Sequence, residues 1–333
     1  MQGEAITGMR SSVFLLGAML GRCGHVIMEH PGGCVIGARP IDLHIAALKQ
    51  MGVLFREEDG RLAACVDELH GAEIRLAFPS VGATENIVLA AVTAQGETIL
   101  HGAAIEPEVT ALCEFLAACG AQIEGTGTGE LRICGVNDLH GARYRVPSDR
   151  IVAGTYLFAC LGCGGSVLLV DAPWEQMAEV LKIAERMGAQ CVTSVEGLFV
   201  QSNGGKAAVE WLRTGPYPAF PTDLQSAAMA ALTCADGKSI IEETVFENRF
   251  RIVEALRRMG AQIEVKDGRF AHIAGVERLR GAALEACELR GGAALILAGL
   301  MAEGESYVTG CHFIERGYEN ICRDRKSVGR ERV

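Results

Sequence analysis

A chain of 333 residues with 49% hydrophobic content carries enough apolar surface for two cored domains, which makes disorder an unsuitable reading. A formal net charge of -10 argues against nucleic acid or an anionic membrane surface as partner, since either calls for a basic footprint. Thirteen cysteines without paired spacing fit a reducing compartment rather than a disulfide framework, which points to the cytoplasm. No run of about 20 apolar residues is present, and Met1 to Arg10 lacks the basic-then-apolar layout of a secretion signal.

In chain order, the short apolar run from Val13 to Leu20 reads as a core helix. The stretch Pro31-Gly32-Gly33-Cys34-Val35-Ile36-Gly37-Ala38-Arg39-Pro40 then sets a thiol among three glycines with a guanidinium five residues on. Such glycines suit a loop that moves or approaches a ligand closely, although a lone cysteine in a turn is more often simply buried. Asp42, after the proline, is a candidate helix N-cap.

A repeat follows. Leu48 to Val53 recurs at Leu116 to Ile123, at Met187 to Gln190 and at Leu256 to Ile263, with glycines at 52, 120, 188 and 260. Each glycine closes an amphipathic run and precedes alternating apolar residues, which reads as helix, C-cap and strand. Strand, turn, strand is expected over Leu131 to Gly141 and again from His272 to Ala282. A second helix in each unit is expected to start near Thr84, Asp149, Asp223 and Gly292, and to close before Gly96, Gly164, Gly237 and Gly304. β-prone runs such as Thr98-Ile99-Leu100 and Ser306-Tyr307-Val308 come after. The fold class is therefore α+β, with helices inside and sheets outside. The first unit opens directly on a helix, so an upstream half-unit is expected to be missing. Asp324 to Val333 is mostly charged and breaks the pattern. Cys160 and Cys163 have the spacing of half a zinc site, but with no second pair no metal is expected.

The Pro-Gly-Gly-Cys loop with Asp42-Leu43-His44, Ser80-Val81-Gly82-Ala83-Thr84-Glu85-Asn86, Glu106-Pro107-Glu108, Phe220-Pro221-Thr222-Asp223-Leu224-Gln225, Phe246-Glu247-Asn248-Arg249-Phe250 and Glu315-Arg316-Gly317-Tyr318-Glu319 resemble the UDP-N-acetylglucosamine enolpyruvyl transferase family, from about Gly8 to Asn320. The resemblance implies two domains of three repeated units each, an inside-out α/β barrel, with the active site in the cleft between them. The domains would be residues 1–147, truncated by its first unit, and 148–333. It also implies transfer of enolpyruvyl from phosphoenolpyruvate to the 3-hydroxyl of UDP-N-acetylglucosamine, with neither metal nor cofactor, and with those two small molecules as partners.

By the same resemblance, Arg10, Arg39, Arg249, Arg290 and Arg316 would bind phosphoenolpyruvate, since two multiply charged anions need several guanidinium groups facing them. Each alone is more often a solvated surface charge, Arg39 and Arg316 beside loop glycines being the exceptions. Cys34 would protonate the methylene carbon or hold the phospholactoyl group, its reactivity raised by Arg39. Asp223 would take the proton of the 3-hydroxyl, or else serve as a helix cap, with Thr222 a second candidate for the cap. Helix N-termini at Thr84 and Asp223 could hold phosphates. Arg39, Pro40, Ile41, Asp42, Leu43, Ser80, Gly82, Asp223 and Val245 would bind the sugar nucleotide.

Two departures stand out. The family's Lys-Asn pair belongs to the absent first unit, and Glu288 stands where the family usually carries Asp, one methylene shorter. Two alternatives stay open: a partial chain that binds the nucleotide sugar without turnover, and the sister enolpyruvyl transferase of the shikimate pathway, which lacks the cysteine loop. Cys34 is expected to be the one cysteine of thirteen that fosfomycin labels strongly, faster with the sugar nucleotide present. Mass mapping of the adduct checks this, and labelling unchanged in Cys34→Ser overturns it.

Overall fold

The computed structural model describes residues 10–29, 40–204, 206–319 and 321; Cys34, Arg39 and the charged stretch from Asp324 lie outside them. The described residues up to Val146 form one compact unit and those from Pro147 a second. The first opens on a 3-10 turn, Arg10–Val13, that runs into α1 (Phe14–Cys23) and β1 (His25–Met28). Then come α2 (Asp42–Gln50), the hairpin β2 (Leu54–Glu58) and β3 (Arg61–Cys65), β4 (Glu73–Arg75), α3 (Val81–Ala91) and β5 (Glu97–His101). It closes with α4 (Pro107–Ala118), β6 (Gln122–Glu124) and β7 (Glu130–Cys134). Its sheets have the orders β1-β3-β2 and β4-β5-β7-β6, in which only the β4–β5 pairing is parallel.

The second unit repeats the plan. It runs α5 (Arg150–Cys163), β8 (Gly165–Val170), α6 (Ala178–Arg186), β9 (Gln190–Ser194), β10 (Gly197–Ser202), β11 (Leu212–Arg213), α7 (Gln225–Leu232) and β12 (Lys238–Glu242). After these come α8 (Val253–Arg258), β13 (Gln262–Lys266), β14 (Phe270–Ala274), β15 (Ala283–Glu285), α9 (Leu289–Met301), β16 (Tyr307–Thr309) and α10 (Cys311–Ile314). The sheets are β8-β10-β9, β11-β12-β14-β13 and β15-β16.

The repeat seen in the sequence is a repeat of backbone conformation. Gly52, Gly120, Gly188 and Gly260 have φ of 97°, 100°, 101° and 95°, each one residue past the cap of α2, α4, α6 or α8. A side chain is strained in that left-handed region, so glycine is what turns the helix into the hairpin. The second helix of each module is enclosed. All eight residues of α7 are buried, as is every residue of α3 from Ala83 to Ala91 except Leu89. In the second unit α5, α7 and α9 pack pairwise, and in the first α3 packs on α1, α2 and α4. The sheets lie outside with one face to solvent, as in β7, where exposed and buried residues alternate along the strand.

Three expectations are corrected. No strand forms after Gly141; residues 141–149 run without regular structure, because the first unit holds no later strand for that segment to join in parallel, as β4 joins β5 and β15 joins β16. The helix expected near Thr84 begins at Val81, and the one expected near Gly292 begins at Leu289, because the side chains of Ser80 and Glu288 cap them. The start near Asp149 holds: its carboxylate accepts from the N–H groups of Ile151 at 2.7 Å and Val152 at 3.0 Å. Among the described residues no helix is long and apolar enough to cross a membrane, and no group of three metal-ligating side chains gathers.

Gly135 and Gly275 occupy equivalent sites just after β7 and β14, where a Cβ would overlap the carbonyl oxygen of Ala94 or Ala235. Gly275→Ala is therefore expected to lower stability by about 1–3 kcal/mol, read as a shift in denaturation midpoint. Unchanged midpoints for it and for Gly135→Ala would show that the strand end can step away at no cost.

Candidate active site

Three helix starts in the second unit bring charge together. Asp223 sits in the 3-10 turn Thr222–Leu224 that opens α7, Arg249 in the turn Arg249–Ile252 that opens α8, and Arg290 in the first turn of α9. Arg249 has only 1% of its side chain exposed; its Nη2 donates to Asp223 Oδ1 at 2.6 Å, and its Nε and Nη2 both donate to the Thr222 carbonyl at 3.2 Å. Its Nη1 lies 3.8 Å from Glu288 Oε2. The Glu288 carboxylate also accepts from the N–H groups of Gly291 and Arg290, so the longer side chain caps α9 and faces Arg249 at once. Arg290 Nε stands 4.0 Å from the same Asp223 oxygen.

A hydroxyl relay holds Arg290 from behind. Its Nη1 donates to Tyr318 Oη at 3.4 Å, and that hydroxyl lies 2.8 Å from Thr155 Oγ1, which itself donates to the Ile151 carbonyl at 2.9 Å. Since Thr155 has spent its one proton on Ile151, Tyr318 donates to Thr155 and is left to accept from Arg290. Burial would push the Asp223 carboxyl up, but Arg290, with Arg249 and Arg150, outweighs it and holds the group below the ordinary carboxylate range. The Asp223 side chain nonetheless remains 43% exposed, a carboxylate open on one side and ion-paired on the other.

The first unit assembles a different surface. Ile41 precedes α2 and Asp42 is its first residue, without a side-chain cap, because the helix starts one residue earlier than capping by Asp42 requires. Arg10 Nη2 donates to the Pro40 carbonyl at 3.2 Å. Ser80 caps α3, its Oγ accepting from the Ala83 N–H at 3.3 Å, and Gly82 lies in the first turn. Thr84 is inside the helix, its Oγ1 accepting from the Ala104 N–H at 3.0 Å, so the helix terminus expected there lies at Ser80 to Gly82 instead. A Cβ built on Gly82 would stand 3.2 Å from His44 Cε1, which places the start of α2 against the start of α3.

Over residues 1–324 the chain matches the family model described as EPSP synthase (3-phosphoshikimate 1-carboxyvinyltransferase). It is 45% identical over 326 residues, 98% of this chain and 78% of the relative, to a UDP-N-acetylglucosamine 1-carboxyvinyltransferase of Nitratidesulfovibrio vulgaris (strain DP4). A UDP-N-acetylglucosamine 1-carboxyvinyltransferase of Oleidesulfovibrio alaskensis is 46% identical over 318 residues, 96% of this chain and 76% of that one. The chain belongs to the EPSP synthase family, among its UDP-N-acetylglucosamine 1-carboxyvinyltransferases. The enolpyruvyl transferase NikO from Streptomyces tendae shares the fold at a TM-score of 0.84 and 22% identity, covering 96% of this chain and 76% of its own. EPSP synthase from Acinetobacter baumannii does so at 0.70 and 20%, over 96% and 77%.

Within this carboxyvinyltransferase, Asp223, Arg249 and Arg290 cluster as the sequence suggested, and Arg10 meets Pro40. Arg316 lies exposed in the turn after α10. The cap reading of Asp223 fails, since its carboxylate goes to Arg249 and no side chain caps the turn; Thr222 instead donates to Glu243 Oε2 at 2.9 Å. Buried Glu243 is one of the residues the sequence did not reveal. Its Oε1 accepts from the Val245 N–H at 2.8 Å and the Phe246 N–H at 3.1 Å, which positions Val245. Glu85 on α3, which the sequence showed only as part of the Ser80 to Asn86 motif, is pushed up to about 7 by burial, with Glu108 and Glu106 adding to the shift. Two clefts of about 560 Å³ each, one beside Cys23 and Cys65 and one beside Arg213 and Phe220, are lined by none of the residues expected to bind substrate or act in catalysis.

The folded value of Asp223 lies below its unfolded one, so its stabilising contribution is complete above the ordinary carboxylate range and is lost as pH falls through the depressed value. The stability gap between wild type and Asp223→Asn is therefore expected to be flat from about pH 6 to 8 and to shrink below about pH 4, measured by urea denaturation at a series of pH values. A gap that widens toward acid would contradict the ion-paired assignment.

Proposed function

We propose that the chain transfers the enolpyruvyl group of phosphoenolpyruvate to the 3-hydroxyl of UDP-N-acetylglucosamine and releases phosphate, the first committed step of peptidoglycan precursor synthesis, in the cytoplasm. The observation that carries this reading is 45% identity across 98% of the chain to relatives named for that activity. The description of the family model would also suit a 3-phosphoshikimate acceptor. The identity to the nucleotide-sugar enzymes favours UDP-N-acetylglucosamine. Residues 1–147 and 148–333 are taken as the two domains, a reading that the break in packing between Val146 and Pro147 supports.

The chemistry needs an acid, a base and cations. The acceptor oxygen attacks C2 of phosphoenolpyruvate and its proton passes to Asp223, while Cys34 delivers a proton to C3. The tetrahedral adduct then breaks its C2–O bond to phosphate and loses a proton from C3, which restores the double bond on the sugar. Arg249 and Arg290, with Arg10, Arg39 and Arg316, are assigned to the carboxylate and phosphate oxygens. A bound substrate anion draws Arg249 and Arg290 away from Asp223 and so raises the basicity of that carboxylate when the hydroxyl is in place. Pro40, Ile41, Asp42, Leu43, Ser80, Gly82 and Val245 are assigned to the sugar nucleotide, the helix start at Ser80 to Gly82 suiting its diphosphate.

Phosphate release measured with phosphoenolpyruvate and either UDP-N-acetylglucosamine or shikimate 3-phosphate tests the reading. Turnover is expected with the sugar nucleotide and is expected to fall by about 10²- to 10⁴-fold in Asp223→Asn. Release with shikimate 3-phosphate alone would overturn the acceptor assignment.

A further inference from the structure

We propose that His44 is an additional binding residue of the nucleotide-sugar subsite: its Nε2–H donates to an oxyanion of the diphosphate at the start of α3, and Asn86 fixes the tautomer that makes it a donor. The inference rests on the functional reading above and adds a residue to it.

The argument begins at Asn86, which is fully buried on α3. The backbone N–H of Gly17 donates to Asn86 Oδ1 at 2.6 Å, and a backbone N–H can only donate, so the atom it meets is the amide oxygen. On the other side Asn86 Nδ2 donates to the Val13 carbonyl at 3.1 Å, a partner that can only accept. Two independent contacts thus fix the orientation of the amide. Its second N–H points to His44 Nδ1 at 3.0 Å, so Nδ1 is an acceptor and a neutral ring carries its proton on Nε2. Burial, with the nearby charge of Arg10, lowers His44 to about 4 against the weaker opposing effect of Asp42, which keeps the ring neutral at physiological pH.

The Nε2 edge faces the helix start. It lies 3.4 Å from the position of a Cβ on Gly82, with the Phe14 ring at 3.3 Å, so a side chain at 82 would press on both. His44 is 4% exposed, and among the described residues its one hydrogen-bond partner is Asn86, on the Nδ1 side. Its Nε2–H meets no acceptor among the described residues. The first-turn N–H groups of α3 have no carbonyl behind them within the helix, and its dipole end is positive. With Arg10 close enough to shift the ring, the donors and positive charge converging here outweigh the one carboxylate that also acts on it, Asp42. An anionic oxygen is the complementary ligand, and in the proposed substrate the diphosphate supplies it.

The test uses the full chain. Ring-nitrogen NMR of the wild type is expected to show His44 protonated at Nε2, with that resonance and the Gly82 amide shifting as UDP is added. By calorimetry, His44→Asn, which keeps a polar group near Nδ1 but loses the Nε2 donor, is expected to weaken UDP and UDP-N-acetylglucosamine by about 10- to 100-fold. His44→Gln, whose amide nitrogen reaches the Nε2 position, is expected to recover most of the affinity. In steady state the defect should fall on the KM for the sugar nucleotide rather than on that for phosphoenolpyruvate. A proton found on Nδ1, a His44 resonance indifferent to UDP, or equal affinity in wild type and His44→Asn overturns the proposal while leaving the proposed activity intact. A wild-type chain that binds neither UDP nor UDP-N-acetylglucosamine overturns both. The NMR arm keeps the question decidable if the substitutions impair folding.

Discussion

Helices α3, α5, α7 and α9 are enclosed by protein on nearly every side, so a polar group on them has little water to turn to and, Gln225 Nε2 excepted, the buried ones meet partners within the fold. On α3, Thr84 takes an N–H from Ala104, and Asn86 ties α1 to α2 through Gly17, Val13 and His44. On α5, Thr155 joins Tyr318. The starts of the same helices are where this enclosure opens, and Ser80, Gly82, Asp223 and Arg290 all lie there. Rigid burial behind and a half-buried start in front give each of these side chains a fixed direction.

The charges in the second unit follow the same logic. Arg249 is buried deeply enough that its charge has to be balanced on the spot, and Asp223, Glu288 and the Thr222 carbonyl share that task. Without substrate the cluster is held together by its own ion pairs. On the proposed function, a dianion entering it would exchange these carboxylate contacts for its own, so the guanidinium groups would be prepositioned without being left unbalanced in a poorly solvated site.

Glu288 shows how packing absorbs a change of side-chain length. It stands where the resemblance led to an expected aspartate, yet it caps α9 through Gly291 and Arg290 and faces Arg249. The missing strand after Gly141 shows the opposite. The local pattern there matches the segments that form β4 and β15, but a two- or three-residue edge strand exists only where a parallel partner is within reach.

The sequence by itself determined the module: the glycine that follows α2, α4, α6 and α8, the hairpin after it and the enclosed second helix. Those features are local, set by which residue tolerates a left-handed turn and by where apolar residues recur. The motifs around Asp223, Arg249 and Ser80 were legible too, and they marked the family. Tertiary structure alone decided which partners those residues meet. Asp223 could be read as a helix cap until Arg249, 26 residues later, took its carboxylate, and Thr84 as a helix start until Ser80 claimed that place. His44 became a directed donor only through Asn86, 42 residues away, because a tautomer is set by the partner across the ring and that partner is brought there by the packing of α3 on α2.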